Sequence, residues 1–190
     1  LEVFVKSRST CLLEHVNLGA CEVDDISKAF AVGMSELLEL HGRTGVEKSG
    51  EYLTQEEDRQ VGLGVLGLAN LLALEGVSYK QFGDALEESP AATQSARKIV
   101  AALRAGFTVA ASLARSAGMD RAFAIAPTAS CSYKYKDRAG YTTAPEIAPP
   151  IGRTVDRDSS TFGVQQVSYG NVETAEEVGW DDYYRVVNGI

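Results

Sequence analysis

Residues 61–72, Val-Gly-Leu-Gly-Val-Leu-Gly-Leu-Ala-Asn-Leu-Leu, constrain the fold more than any other part of this chain. They form its most apolar stretch, so they must be buried. Gly62, Gly64 and Gly67 carry no Cβ, which lets a second backbone approach closely where a strand or helix crosses. The stretch also satisfies the G-x-G-x-x-G spacing of a dinucleotide-binding turn. That turn needs a buried strand directly before the first glycine, and residues 56–60 (Glu-Glu-Asp-Arg-Gln) are too polar to supply one. A helix or turn is expected there instead. The glycines are read as packing devices, and an NAD-dependent oxidoreductase is set aside.

The flanking pattern contains elements of both kinds. Residues 1–5 and 10–23 read as short strands with turns. From Asp25 the period changes: Ile26, Phe30, Met34, Leu37 and Leu38 share a helical face, with Asp24 or Asp25 as N-cap and Gly42 as C-cap. Residues 43–51 read as a polar loop. Thr54 and Glu57 form a capping box, which predicts a second helix. A short helix is expected from Ser78, and an Ala-rich one over about residues 90–117, apolar at Ile99, Leu103, Phe107 and Leu113 and stopped by Gly118. Residues 123–126 (Phe-Ala-Ile-Ala) read as a buried strand. Pro145, Pro149 and Pro150 predict loop beyond it, until a last helix near Thr174. Alternating strands and helices give the α/β class, as a barrel or a layered sheet.

Composition narrows the function. The chain has 190 residues, 45% of them hydrophobic, which is enough for one sizeable core. Its net charge of −8 argues against a nucleic-acid or anionic-membrane surface. A phosphorylated small molecule stays open, because backbone amides can hold phosphate without basic residues. No apolar run approaches a membrane span and no leader pattern opens the chain, so a cytoplasmic location is expected. Cys11, Cys21 and Cys131 are too widely spaced for a zinc site or a disulfide framework. No metal site is expected, since His15 and His41 have no ligand-spaced neighbours.

Two places are candidates for chemistry. Pro127, Thr128, Ala129, Ser130, Cys131 and Ser132 follow an apolar strand and are dense in hydroxyls. A helix starting near Ser130 would aim free amides at a phosphate, although the same residues can simply cap a helix. Cys11 lies on a strand six residues before Asn17, and alone it reads as a core cysteine. Asp156, Arg157 and Asp158 read as a solvated charge run, and Tyr183 and Tyr184 as part of an amphipathic helix.

Taken together and in order, four segments resemble the large, catalytic chain of ribonucleotide reductases. They are Cys11 with residues 17–20 (Asn-Leu-Gly-Ala), residues 59–72 followed by 76–79, the hydroxyl-rich loop 124–130, and residues 140–150, where Glu146 stands for the family's glutamate. The resemblance implies a partial ten-stranded α/β barrel, with residues 1–190 a fragment of that catalytic domain truncated at both ends. It implies reduction of the 2′-hydroxyl of a ribonucleoside di- or triphosphate by a thiyl-radical mechanism with a redox-active cysteine pair. Cys11 would be one member of that pair, its partner lying outside the chain. Pro127, Thr128, Ala129, Ser130 and Cys131 would hold the substrate phosphates, and Cys21 would be structural. No cofactor is expected on this segment. The parent would depend on a di-metal radical-generating small subunit or, alternatively, adenosylcobalamin, with thioredoxin or glutaredoxin as reductant, and would form a homodimer.

The departures matter as much. Residues 1–10 contain no Asn-x-Cys-x-Glu element for the radical cysteine, so this chain is expected to be inactive alone. The alternative is a non-catalytic nucleotide- or phosphate-binding module. A nucleotide bridging Cys11 and the loop should place both at one end of a sheet, about 10–15 Å apart.

Overall fold

The computed structural model describes residues 6–44, 51–159 and 163–190, so the expected strand at residues 1–5 and most of the loop at 43–51 lie outside the described residues. Strand β1 (Leu13–Asn17) leads through two short 3-10 turns into helix α1 (Ile26–His41). Strand β2 (Gln60–Leu66) follows, then helices α2 (Leu68–Leu74), α3 (Tyr79–Leu86) and α4 (Gln94–Ser116). Strand β3 (Arg121–Phe123) leads to the single turn α5 (Ala129–Ser132), a hairpin of β4 (Thr154–Ser159) and β5 (Gly163–Ser168), and helix α6 (Ala175–Gly189).

The mixed α/β class is observed. The described strands form a three-stranded parallel sheet in the order β1-β2-β3 and a separate antiparallel pair, β4-β5. Leu13 pairs with Gly62 and Asn17 with Leu66, while Gln60 pairs with Arg121 and Leu63 with Phe123 across an irregularity. β2 is buried at all seven positions, as expected of the central strand of a parallel sheet. Its polar first residue is tolerated because the Gln60 side-chain amide donates to the Ser9 hydroxyl. The expectation of a helix or turn before Val61 is half met. Residues 55–57 make one turn, and the strand then begins at Gln60.

The glycines act as packing devices. A Cβ at Gly64 would lie 2.3 Å from the Ala124 carbonyl oxygen, and one at Gly62 would lie 2.6 Å from Leu13 Cδ2. Gly67 has φ +75° and stands as N-cap of α2, ending the strand in a conformation that a side chain would strain. α1 packs against β1, β2 and α4, and α4 against β3. At that junction a Cβ on Gly106 would meet the Phe30 ring at 2.7 Å, so the absent side chain admits the aromatic. Phe30, Phe107 and Phe123 then stack edge-to-face, with centroids 4.8 and 5.2 Å apart.

Most helix readings hold. α1 runs from Asp25 to the Gly42 C-cap, α3 opens on a Ser78–Gln81 capping box, and α6 opens on a Thr174–Glu177 box. α4 starts at Thr93 and ends before Gly118, whose φ of +78° stops it. α4 has the length and composition to cross a membrane, a candidate the sequence reading did not raise. Here its buried residues, among them Ile99, Val100 and Leu103, face the core. Three expectations are corrected. The buried strand expected at residues 123–126 is instead β3 (Arg121–Phe123), exposed or half-buried throughout because it is an outer strand among the described residues. The Thr54 amide and hydroxyl both donate to the Glu57 carboxylate, but the Glu57 amide bonds the Thr54 carbonyl rather than its hydroxyl, so half a capping box closes a single turn before β2 begins three residues later. The region read as loop contains the β4-β5 hairpin, and Arg157 stacks over the Tyr133 ring at 3.8 Å rather than being merely solvated.

Candidate functional site

Cys11 precedes β1 by two residues and is held through its neighbours. The Thr10 amide donates to the buried Asp58 carboxylate at 2.7 Å, and the Leu12 carbonyl accepts from the Gly62 amide at 2.9 Å. Asp58 also accepts from the Ser9 hydroxyl, and its carbonyl meets His41 Nε2 at 2.5 Å. Cys11 itself is exposed, beside a crevice of about 10 Å³ lined by Thr10, Leu13, Gln60 and Gly62, room for one water. It is therefore not the buried core cysteine that its apolar surroundings in sequence imply. Asp58, Gln60 and His41 brace this end of the sheet. Sequence reasoning missed that role, since no local pattern marks a buried carboxylate that bonds across 48 residues.

The loop after β3 is built differently. Ala124 and Ala126 are buried, and the chain then turns outward, exposing Pro127, Ser130 and Cys131 and half-burying Thr128 and Ala129. Thr128 has φ +45°, an uncommon conformation for a β-branched residue. The first intrahelical bond of α5 runs from the Ser132 amide to the Thr128 carbonyl at 2.8 Å, so the amides of Ala129, Ser130 and Cys131 precede it. Of the hydroxyls singled out in sequence, Ser132 is buried and donates to the Ala129 carbonyl, while Thr128 accepts from the Glu146 amide at 3.2 Å. Glu146 is itself left-handed, at φ +50°. Two strained non-glycine residues thus bond each other, at a cost of roughly 1–3 kcal/mol each.

Behind the loop, Asn70 on α2 anchors the segment that reaches Glu146. Its amide nitrogen donates to Asp137 Oδ2 at 2.8 Å, and its oxygen accepts from the Ala144 amide at 2.7 Å. The buried Thr143 Oγ1, with Asn17 Oδ1 and His15 Nε2, has no partner among the described residues.

The register does not bring the two candidates to one end of the sheet. Cys11 falls level with Gln60 and Arg121, at the N-terminal end of all three strands, while the Pro127 loop leaves β3 at the C-terminal end. β3 ends at Phe123 and the chain runs on four residues to Pro127, so the loop lies beyond the end of the sheet opposite Cys11. Cys21 follows β1, where its thiol donates to the Asn17 carbonyl at 3.4 Å. Burial and the nearby Asp25 raise its pKa, which suits an inert structural thiol. All three cysteines are free.

Between the two ends, the face of β1 toward α1 carries Glu14. Burial, with a hydrogen bond to the Glu36 carboxyl, pushes its pKa up to about 7. Burial also lowers the pKa of His15, so that ring stays neutral. Among the described residues no cluster of His, Cys, Asp and Glu fits a metal ion.

No protein-family model matches this chain, and no curated protein matches it significantly. The resemblance to ribonucleotide reductases therefore stands on the motif residues themselves.

Proposed function

We propose that this chain is a wall section of the ten-stranded α/β barrel of a ribonucleotide reductase catalytic chain, with the Pro127 loop seating the phosphates of a ribonucleotide. The observation that carries the reading is the bond between Thr128 and Glu146. It joins two of the four segments that carry the resemblance, and both residues hold strained backbones that a simple loop has no reason to keep. The sheet agrees with a barrel wall: three parallel strands in chain order, joined by helical crossovers. The redox role that the resemblance gives Cys11 calls for it at the loop's end of the sheet, and it lies at the other end, so the reading rests on the loop and not on this thiol. The parent activity, reduction of ribonucleotides with a radical-generating subunit or adenosylcobalamin and a thioredoxin-type reductant, follows from the same resemblance.

The separation of Cys11 from the loop favours a second reading, a phosphate-binding module in which Cys11 has no redox role. Titration of the ¹⁵N-labelled chain with cytidine diphosphate separates the two. Shifts at the amides of Ala129, Ser130 and Cys131 together with Thr10 and Leu12 support the reductase. Shifts at the loop alone support the module. No shift at the loop sinks both.

A further inference from the structure

The outer edge of β1 is open. Among the described residues this strand pairs only with β2. The Gly62 amide bonds to the Leu12 carbonyl, and backbone direction alternates along a strand, so Leu13 and His15 turn their N–H and C=O groups outward. Beside that edge lies a groove of about 480 Å³ between β1 and α1, lined among others by Glu14, Val16, Lys28, Val32 and Glu36. Val32 is 47% exposed there, an apolar residue on the groove wall. Glu14 and Glu36 face this one groove although they lie 22 residues apart, and among the described residues neither they nor Lys28 form a salt bridge. Two carboxyl groups on one groove with no cation bonded to either form a poor permanent surface, because they must share a proton or repel.

We propose that the outer edge of β1 takes an extended segment as a further strand, and that this segment sets a lysine or arginine beside Glu14 and Glu36. The backbone groups of Leu13 and His15 give the affinity, and the carboxyl pair selects the charge. Val16 and Val32 accept an apolar neighbour of that cation. The inference rests on the barrel-wall reading for a strand belonging here, and adds what that strand must carry.

The test uses this chain and two short synthetic peptides of alternating valine and threonine, one with a central lysine and one with a central glutamate. Amide shifts at Leu13 and His15 report docking. The lysine peptide should bind about tenfold more tightly at pH 8. Glu36→Gln, which removes the charge and keeps the shape, should bring the two affinities within about twofold. If both peptides dock equally to the unaltered chain, a strand adds but the charge selection is wrong. If neither docks while cytidine diphosphate still shifts the loop amides, the edge proposal fails and the phosphate-seating reading stands. A peptide-free dimer built on the same amides also overturns the proposal, because the edge then belongs to a second copy.

Discussion

The two edges of the parallel sheet are opposites. At β1 the groove carries Glu14, Lys28 and Glu36. At β3 a cavity of about 350 Å³ is lined by Phe107, Phe123, Ile125 and Ile190, with Phe123 and Ile125 both more than a third exposed. One sheet therefore offers a charged border and an apolar one. Charge at an edge discourages indiscriminate pairing, whereas bare apolar surface gains from any cover. The contrast is one of selectivity: a charged border discriminates among neighbours, and an apolar one does not.

The largest effect should come from pushing β3 off the sheet. Gly64→Val places a side chain against the Ala124 carbonyl, which is backbone and cannot step aside. A loss of at least about 3 kcal/mol is expected in urea unfolding. A loss under about 1 kcal/mol would contradict the close β2-β3 approach.

Next comes the aromatic row behind the same edge. Phe107 touches both Phe30 and Phe123, so Phe107→Ala should cost about 2–3 kcal/mol. Glu36→Gln at the other edge should cost nothing at pH 8. Equal losses from the two variants would erase the contrast between the borders.

A smaller effect is carried by pH. The folded-state pKa of Glu14 is raised from 4.5 to about 7 by burial, then by Glu36. A raised folded pKa means the folded state holds the proton more tightly than the unfolded chain does. That stabilisation is complete below pH 4.5 and is lost as pH climbs through 7. Because the site is partly solvated, roughly 1 kcal/mol is expected after screening. Thermal unfolding of Glu14→Gln from pH 4 to pH 8 should lack this slope. His15 also lines the groove, but burial lowers its pKa and gives a slope of the opposite sign, so an unchanged slope in Glu14→Gln would contradict the assignment to Glu14.

The smallest effect is kinetic. Exposed Cys11 and Cys131 should alkylate at similar rates in the native chain, and half-buried Cys21 about tenfold more slowly. Peptide mapping after brief iodoacetamide treatment reads this directly. Slow labelling of Cys11 would return it to the core.

Much of the fold was legible where the signal is local. α1, α3 and α6 follow from a cap residue and a 3.6-residue apolar period, and both act within one or two turns. The same local logic misled at Thr54, where half a capping box formed without a helix behind it. β2, three residues further on, is drawn into the sheet by burial of its glycine run. The β4-β5 hairpin escaped notice because its residues alternate charge and polarity without an apolar face. Within the candidate site, the position of the Pro127 loop after a strand was readable from the apolar run before it. The strain at Thr128 and its bond to Glu146 were not, since 18 residues separate the partners.

By itself, then, the sequence determined α1, α3, α4 and α6, the burial of the glycine strand and the surface loop after β3. Those depend on neighbours a few residues away and on the cost of leaving apolar groups in water. Only the tertiary structure decided that Cys11 and the loop sit at opposite ends of the sheet, that Asp58 braces the first, and that Glu14 meets Glu36 at an open edge. Strand register and helix packing join residues far apart in the chain, and no periodicity along the chain encodes which distant partner a side chain will face.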